Sequence, residues 1–415
     1  MTRQARAKAP ARLGPRPLPL HLATAMLNQL GALAALPAVR AGSFPWTPRL
    51  ATDAAELIPE LQAVELPALQ EAVARECRRR LEAMMAGVHA YQAAPEEERL
   101  HDLPVLWQEG TTRLLDYGGQ GDGEGGPPVL FVPSLINRAY VLDLADDLSL
   151  LRWLAQQGLR PLLVDWDSPG EVERGFGLAD YVARLNRALD AVLGLGAGPV
   201  GLVGYCMGGN LALPLALRRQ ADLSGLALLA TPWDFHAERS PHARLLATVA
   251  GAVEAVTEAF GELPVDLLQA FFAMLDPASA QRKFRRFAEI AETRGKAARF
   301  VQLEDWLNDG VPLTAPVARE CLRDWYLENR PGRGDWQLAD RPVRPQALAL
   351  PALLAIPAND RIVPPGMAWP LARLLPDVTV ISPAAGHIGM VVGGQAEAGL
   401  WRPLADWLRL HGDID

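Results

Sequence analysis

The sequence contains few cysteines, and this limits both its redox chemistry and its metal chemistry. Cys77, Cys206 and Cys321 are the three cysteines among 415 residues. They are far apart and form no CxxC pair, which argues against a zinc site and against a disulfide framework. The cytoplasm, a reducing compartment, is therefore the expected location.

The sequence has no excess of positive charge, and it lacks the motifs that bind phosphate groups. Forty Lys and Arg residues stand against 48 Asp and Glu residues, which gives a formal net charge of −8. No Arg and Lys stripe interleaved with aromatic residues is present, so we expect no nucleic-acid partner. No Walker loop and no G-x-G-x-x-G fingerprint opens a helix, and no dissociable redox cofactor is expected.

No apolar run is free of interruption over the length of a bilayer, and the chain is predicted to be soluble. A basic N-terminal stretch precedes an apolar one, Leu18 to Val39. Polar residues interrupt the apolar part and no small-residue cleavage site follows, so an export signal is not expected. We predict a helix that packs on the domain or on a second subunit, or that contacts a polymer or membrane surface. The basic residues are Arg3, Arg6, Lys8, Arg12 and Arg16.

Short apolar runs separated by helical patterns predict a parallel sheet that is covered on both faces. Strand and helix alternate regularly, which favours a doubly wound, mostly parallel α/β fold. The predicted segments are an N-terminal tail and helical extension (1–104), a first core part (105–230), a helical cap insertion (231–345) and a second core part (346–415). The apolar runs are PVLFVPS, RPLLVDW, PVGLVGYC, LSGLALLATP, LPALLAIPAND and DVTVISPAAGH.

Segment 231–345 is helical and aromatic. A cap inserted between two strands would cover the carboxyl ends of the strands, where open α/β sheets bind their ligands. Its aromatic residues either line an apolar pocket or pack in the core. They include Phe271, Phe272, Trp306, Trp325 and Tyr326.

The segment VGLVGYCMGGNLALPLAL places a cysteine between a strand and a helix. Gly204 to Gly208 reads G-x-C-x-G, the nucleophile elbow of an α/β-hydrolase fold with cysteine in place of serine. Strand and helix nearly touch at such an elbow, so small residues are needed two positions either side of the nucleophile. The amides at the helix N-terminus stabilise a thiolate. Cys206 is therefore the predicted nucleophile, and an inert buried cysteine is the alternative.

The remaining catalytic groups follow in the chain order that the fold requires, which is nucleophile, acid, base. Asp360 follows a predicted strand in ANDRIVPP, and Asp377 is a weaker rival. His387 follows the last predicted strand in PAAGHIGM. His236, in TPWDFHAE, could approach the site, and we interpret it as a structural or pocket residue rather than a base.

An oxyanion in an acyl-transfer reaction needs fixed hydrogen-bond donors. The backbone N–H of Met207 is one predicted donor. The second is expected from the loop after the strand VLFVPS, at Leu135 or Ile136.

Several stretches, taken together, resemble the poly(3-hydroxyalkanoate) synthase family, and most closely its short, class III-like members. The resemblance begins near Val129 and continues to the C-terminus, whereas residues 1 to about 120 do not resemble the N-terminal domain of the long synthases. It implies a catalytic triad of Cys206, Asp360 and His387. The stretches are VPSLINRAYVLDL, GLRPLLVDWDSPG, VGYCMGG, ATPWDFHA, LEDWLNDG, ANDRIVPP and GHIGMVVGG.

The resemblance also implies a 3-hydroxyacyl-CoA substrate, with coenzyme A entering as part of the substrate and no metal or other cofactor. It further implies a polyhydroxyalkanoate granule surface in the cytoplasm, and a homodimer or a second synthase subunit. Three functional hypotheses follow: an acyltransferase that forms polyester, a depolymerase or thioesterase that uses the same triad with water, and a non-catalytic granule-surface or partner-binding paralogue.

Overall fold

The computed structural model describes residues 12–95, 103–120, 125–237 and 241–412. The basic residues Arg3, Arg6 and Lys8 and part of the glycine-rich loop lie outside the described residues. The contacts divide the chain into two units. The α-helices are α1 Leu18–Arg40, α2 Pro48–Ala63, α3 Leu66–Ala93, α4 Leu150–Gln156, α5 Leu178–Leu193, α6 Met207–Arg218, α7 Pro241–Phe260, α8 Val265–Leu275, α9 Ser279–Ile290, α10 Arg294–Asn308, α11 Ala315–Glu320, α12 Arg330–Arg333, α13 Pro365–Leu374, α14 Gly389–Val392 and α15 Arg402–Gly412.

The second unit contains an eight-stranded sheet with the order β1-β2-β4-β3-β5-β6-β7-β8. From β4 to β8 every neighbouring pair is parallel. Strand β2 is antiparallel to both β1 and β4. The predicted doubly wound, mostly parallel sheet is thus confirmed. Its strands are β1 Val105–Glu109, β2 Thr112–Asp116, β3 Pro128–Val132, β4 Arg160–Asp165, β5 Val200–Tyr205, β6 Leu223–Leu229, β7 Ala352–Ala355 and β8 Val378–Ile381.

The central strands are buried along their whole length, which explains why their sequences do not alternate between apolar and polar residues. Every residue of β3, β5 and β7 is buried. Helices on both faces keep water from such strands, so each side chain can be apolar. Helix α6 is itself buried from Met207 to Ala216. This rigid centre holds the strand ends from which the site is built.

The first unit contains the described residues up to Pro95 together with Gln269–Asn308. Helix α3 packs against α9 in a core that includes Met84, Tyr91, Phe284 and Phe287. Residues 269–308 fall within the segment that the sequence assigns to the cap, and here they pack with N-terminal helices. A segment that is distant in the sequence, residues 269–308, thus completes the core formed by the N-terminal helices.

Helix α1 corresponds to the helix predicted for the apolar stretch Leu18 to Val39. It has 23 residues and a hydropathy of 1.5, and it is the one helix among the described residues long and apolar enough to cross a membrane. Polar residues such as His21 and Asn28 interrupt its apolar sequence. Only 11% of the apolar window is buried. A signal sequence near the N-terminus meets the same criteria, so this is weak evidence for a membrane span.

In the second unit, the chain between β6 and β7 contains α7, α11, α12 and a π-helix, Cys321–Leu327. The part of this chain segment around Gly310 is hydrogen-bonded to the loop that follows β3. Val311 N–H donates to the Ile136 carbonyl at 2.8 Å, and Asn137 forms an isolated β-bridge with Gly310. Part of the predicted insertion therefore lies directly against a loop at the carboxyl edge of the sheet.

A buried ion pair fixes α5 to the segment after β4. Arg184 is 2% exposed and Glu173 is 1% exposed, and the two side chains hydrogen-bond to each other. Glu173 also accepts hydrogen bonds from the backbone N–H groups of Thr111 and Gly170, at 3.2 and 3.1 Å. Both charges are thus compensated by several partners, as buried charges require.

We expect Arg184→Met to destabilise the protein by about 3–5 kcal/mol, because the Glu173 carboxylate would stay buried without its cation. The matched control is Arg187→Met on the same helix, whose pair with Glu109 at 2.6 Å is partly exposed. Its loss should cost about 1 kcal/mol or less. Urea unfolding followed by circular dichroism measures both, and equal losses in the two variants would contradict the buried pair's importance.

Candidate active site

Cys206 occupies a sharp turn between β5 and α6. Its backbone has φ 54° and ψ −126°, a conformation that residues with a side chain rarely adopt. Cys206 N–H donates to the Leu229 carbonyl of the neighbouring strand at 2.8 Å, and the Cys206 carbonyl accepts from Gly209 N–H at 3.0 Å. These bonds hold the turn in place, so the side chain is fixed at the end of the sheet.

The glycines of the motif permit the close contact between strand and helix. A Cβ atom on Gly204 would lie 2.5 Å from the Gly209 Cα, and one on Gly208 would lie 2.0 Å from the Val132 carbonyl oxygen. Real Cβ atoms do not approach backbone this closely, and backbone on both sides cannot move away. The G-x-C-x-G spacing is therefore a steric requirement of this turn.

The register of the sheet brings the three predicted catalytic residues to one edge. Tyr205, Leu229, Ala355 and Ile381 are paired in a row across β5, β6, β7 and β8. Cys206 follows the first of these residues directly, while Asp360 and His387 follow the last two after short loops. Because all four strands are parallel, their carboxyl ends open on the same side.

Asp360 and His387 form a buried pair. His387 Nδ1 lies 2.7 Å from Asp360 Oδ2, and the residues are 7% and 5% exposed. The other carboxylate oxygen, Oδ1, accepts from the N–H groups of Ile362 and Val363 at 2.8 and 2.9 Å. A carboxylate held in this way donates no proton and fixes the Nδ1–H tautomer of the imidazole. The Nε2 atom is thereby left for a second partner.

Cys206 is the second partner of the His387 ring. Burial lowers the pKa of His387, but the negative charge of Cys206 opposes it, together with hydrogen bonds to Asp360 and Cys206 and the charge of Asp360. The net result raises the pKa of His387 to about 10. A negative charge on the sulfur and a positive charge on the imidazole therefore stabilise each other.

Tyr205 supports His387 and was not singled out from the sequence. Its ring lies 5.3 Å from the His387 ring, and its hydroxyl donates to the His387 carbonyl at 3.3 Å. Burial, followed by the charges of Cys206 and Asp360, raises the pKa of this phenol well above its usual value. The only sequence signal was its place before the nucleophile, a variable position of the elbow motif.

The predicted oxyanion donors lie on two elements that touch. Met207 is the first residue of α6, so its N–H has no partner carbonyl within the helix. Ile136 N–H donates to Ser134 Oγ at 3.2 Å, which leaves Leu135 as the better second donor of the two. The close approach of Gly208 to the Val132 carbonyl brings the loop after β3 to the start of α6.

The remaining candidate residues from the sequence have contacts other than with the Cys206, Asp360 and His387 group. Asp377 is exposed, and its carbonyl accepts from Ala352 N–H at 2.9 Å. His236 Nε2 lies 2.8 Å from the Tyr326 carbonyl oxygen. Trp325 is 3% exposed and stacks on Phe235, which is core packing. Trp306 is 4% exposed in the first unit, where Phe271 and Phe272 are half-buried.

All three cysteines are free thiols. Cys77 lies in the first unit, and burial raises the pKa of Cys321 well above its usual value. Within the described ranges, no group of three or more His, Cys, Asp or Glu side chains is arranged to hold a metal ion.

Known proteins resemble this chain over most of its length. A family described as the alpha/beta hydrolase fold matches residues 127–393. The "Poly(3-hydroxyalkanoate) polymerase subunit PhaC" of Haloferax mediterranei is 32% identical over 308 residues, which cover 73% of this chain and 63% of that protein, slightly under two thirds of its length. The protein of the same name from Synechocystis sp. is 31% identical over 293 residues, 68% of this chain and 77% of the relative.

A third relative with this name, from Allochromatium vinosum, is 28% identical over 334 residues, 79% of this chain and 90% of the relative. Among solved structures, a thermophilic esterase from Thermogutta terrifontis is 22% identical and covers 76% of this chain and 100% of its own, with a TM-score of 0.44.

Cys206→Ala should lower the pKa of His387 from about 10, because the negative charge beside the ring is lost while burial remains. Between neutral pH and pH 10 the wild-type ring keeps its proton, and the variant ring loses it at lower pH. NMR titration of labelled histidine measures this, with His387→Gln to assign the signal. Cys77→Ala is the control and should leave the titration unchanged. An unaltered His387 titration in Cys206→Ala would show that sulfur and imidazole are not coupled.

Proposed function

The chain belongs to the α/β-hydrolase family and, within it, to the poly(3-hydroxyalkanoate) polymerase subunit PhaC family, and we propose that it polymerises 3-hydroxyacyl-CoA thioesters into polyhydroxyalkanoate through an acyl-Cys206 intermediate. The observation that carries this proposal is the coupling of an elbow cysteine to a buried His387–Asp360 pair. The match to the alpha/beta hydrolase fold family, residues 127–393, includes all three residues.

In the first step the Cys206 thiolate attacks the thioester carbonyl carbon. The carbonyl oxygen becomes an oxyanion, for which the N–H groups of Met207 and Leu135 are the proposed donors. Collapse of this intermediate breaks the bond to the CoA sulfur, and the departing thiolate takes the proton of the His387 imidazolium. A thiol nucleophile suits this exchange because the attacking and leaving groups are chemically matched.

In the second step the hydroxyl group of another 3-hydroxyacyl unit attacks the acyl-Cys206 carbonyl. His387, neutral after the first step, takes the hydroxyl proton while Asp360 holds its Nδ1–H. An ester bond forms, the bond to Cys206 Sγ breaks, and the thiolate–imidazolium pair is restored. The attacking hydroxyl belongs to a 3-hydroxyacyl-CoA, so the product is a lengthened acyl-CoA, which acylates Cys206 again by the first step and releases one CoA for each unit added. Protons and electrons balance without a metal or a redox cofactor, and coenzyme A takes part as a component of the substrate.

The same residues would catalyse hydrolysis if water replaced the hydroxyl group, as in a depolymerase or thioesterase. Burial of Asp360 and His387 supports transfer to an alcohol, because a shielded base is less accessible to water. In this proposal the protein acts in the cytoplasm at a polyester granule surface, as a homodimer or with a second synthase subunit.

Incubation of the protein with 3-hydroxybutyryl-CoA tests the reaction. Intact mass spectrometry should show an adduct on Cys206 that grows in steps of one hydroxyacyl unit, with one CoA released per step. Cys206→Ala should form no adduct, whereas Cys77→Ala should behave as the wild type. Release of free hydroxy acid without oligomers would identify a hydrolase. Absence of any adduct in a folded protein would favour a non-catalytic binding role.

Asp360→Asn should slow CoA release by about 10²- to 10⁴-fold, because an amide no longer fixes the Nδ1–H tautomer or stabilises the imidazolium. Asp377→Asn is the matched control, since this carboxylate is exposed and should be dispensable. Stopped-flow detection of free CoA thiol gives both rates. If the two variants lost activity equally, Asp360 would not be the acid of the triad.

A further inference from the structure

Tyr326 lies on the π-helix Cys321–Leu327, which directly follows α11. Helices of this type are rare and frequently mark functional sites, because the wider turn displaces side chains from their α-helical positions. Residues Leu322 and Trp325 of the π-helix are buried, and Tyr326 is half-buried. The structure thus places a phenol ring at the border of a packed core.

The segment after β6 holds the end of this π-helix through Asn329. Asn329 is 6% exposed and has a left-handed backbone, with φ 50°. Its Nδ2 donates to Asp234 Oδ1 at 2.8 Å, and its Oδ1 accepts from Phe235 N–H at 2.9 Å. All of these partners belong to the second unit, so the π-helix is fixed to the sheet that carries the nucleophile.

Two further contacts fix Tyr326 itself. His236 Nε2 lies 2.8 Å from the Tyr326 carbonyl oxygen, and since a carbonyl can only accept, Nε2 is the donor. The Phe235 ring meets the Tyr326 ring edge-on, with 5.0 Å between centroids. Backbone and ring are therefore held by neighbouring residues of one segment, which gives His236 the structural role expected from the sequence.

This segment packs against the turn that holds the nucleophile. It begins directly after Leu229, whose carbonyl accepts from Cys206 N–H at 2.8 Å, and its Pro232 carbonyl accepts from Asn210 Nδ2 on α6 at 2.8 Å. Burial raises the pKa of Tyr326, and the negative charge of Cys206, followed by that of Cys321, raises it further. The phenol therefore keeps its proton at neutral pH, and the influence of the Cys206 charge agrees with the packing of this segment against the elbow.

A fixed phenol beside the acylated sulfur suits a substrate with a hydroxyl group near its carbonyl. In a 3-hydroxyacyl thioester the hydroxyl is two carbons from the carbonyl carbon. We propose that Tyr326 is a specificity-determining residue that donates its O–H to the 3-hydroxyl oxygen of the acyl chain at Cys206. This inference rests on the proposed function, because it assumes a 3-hydroxyacyl substrate.

The test compares 3-hydroxybutyryl-CoA with butyryl-CoA, which lacks the hydroxyl group. Acylation rates of Cys206 are measured for both by rapid quench and intact mass. Tyr326→Phe should reduce the rate with 3-hydroxybutyryl-CoA by about 10- to 100-fold, because a site built for a hydroxyl loses its donor. The rate with butyryl-CoA should remain unchanged, so the preference for the hydroxylated substrate disappears.

Tyr91→Phe is the matched control. It removes another tyrosine hydroxyl, bonded to Asp305 in the first unit, and should keep the preference. His236→Ala should weaken the preference in the same direction by a smaller factor, and it carries the test if circular dichroism shows that Tyr326→Phe does not fold. The pH profile of Cys206 alkylation by iodoacetamide should be the same in Tyr326→Phe and wild type.

A wild type that is acylated equally fast by both thioesters would overturn the role of Tyr326 and leave the proposed function intact. Equal slowing of both substrates in Tyr326→Phe, or a displaced alkylation profile, would also overturn it, since the phenol would then act on the sulfur. Failure of the wild type to form any adduct would instead contradict the proposed function.

Discussion

The close approach of β5 to α6 is the constraint on which the candidate site depends. It forces a left-handed backbone at Cys206 and excludes any side chain at Gly204 and Gly208. The backbone strain at the turn is of the order of 1–3 kcal/mol, and the buried sheet and helix around it supply the compensating stability. In return, the cysteine side chain is presented at the edge of the sheet beside the start of a helix, where unpaired N–H groups favour negative charge.

The electrostatics of the site follow from that placement. A buried imidazolium is costly unless its charge is compensated, and here Cys206 and Asp360 approach it from two sides. The Asp360 carboxylate is in turn held by two backbone N–H groups, so the acid cannot turn away to find water. The His387 ring is thus fixed by the Asp360 carboxylate, and that carboxylate is fixed by backbone N–H groups in the loop after β7. A charge-compensated arrangement of this kind needs little reorganisation when the substrate arrives.

Much of this site could be predicted from the sequence, because each catalytic residue follows a strand with a strong apolar pattern. The order of Cys206, Asp360 and His387 and the parallel sheet together predict that they meet at one edge. Contacts formed by the fold alone could not be predicted in this way. Tyr205 occupies a position that the elbow motif leaves open. The π-helix around Tyr326 has seven residues, too few for its wider turn to be recognised as a period in the sequence. The packing of residues 269–308 with N-terminal helices was equally hidden, since an amphipathic helix does not identify its partner.

The site also has to choose between two acceptors for the acyl group, water and the hydroxyl of another acyl unit. Water is small and abundant, so a triad alone would favour hydrolysis, as in most enzymes with this arrangement. An alcohol can win only if it is held near the carbonyl and if water has limited access to the base. Burial of His387 provides the second condition. The first condition needs the acyl carbonyl and the alcohol to be held relative to each other by groups outside the triad. The proposed bond from Tyr326, on a segment anchored through Asn329 and His236, would fix the acyl chain whose carbonyl is attacked. The distinction between transfer and hydrolysis would then lie in the residues that surround the triad.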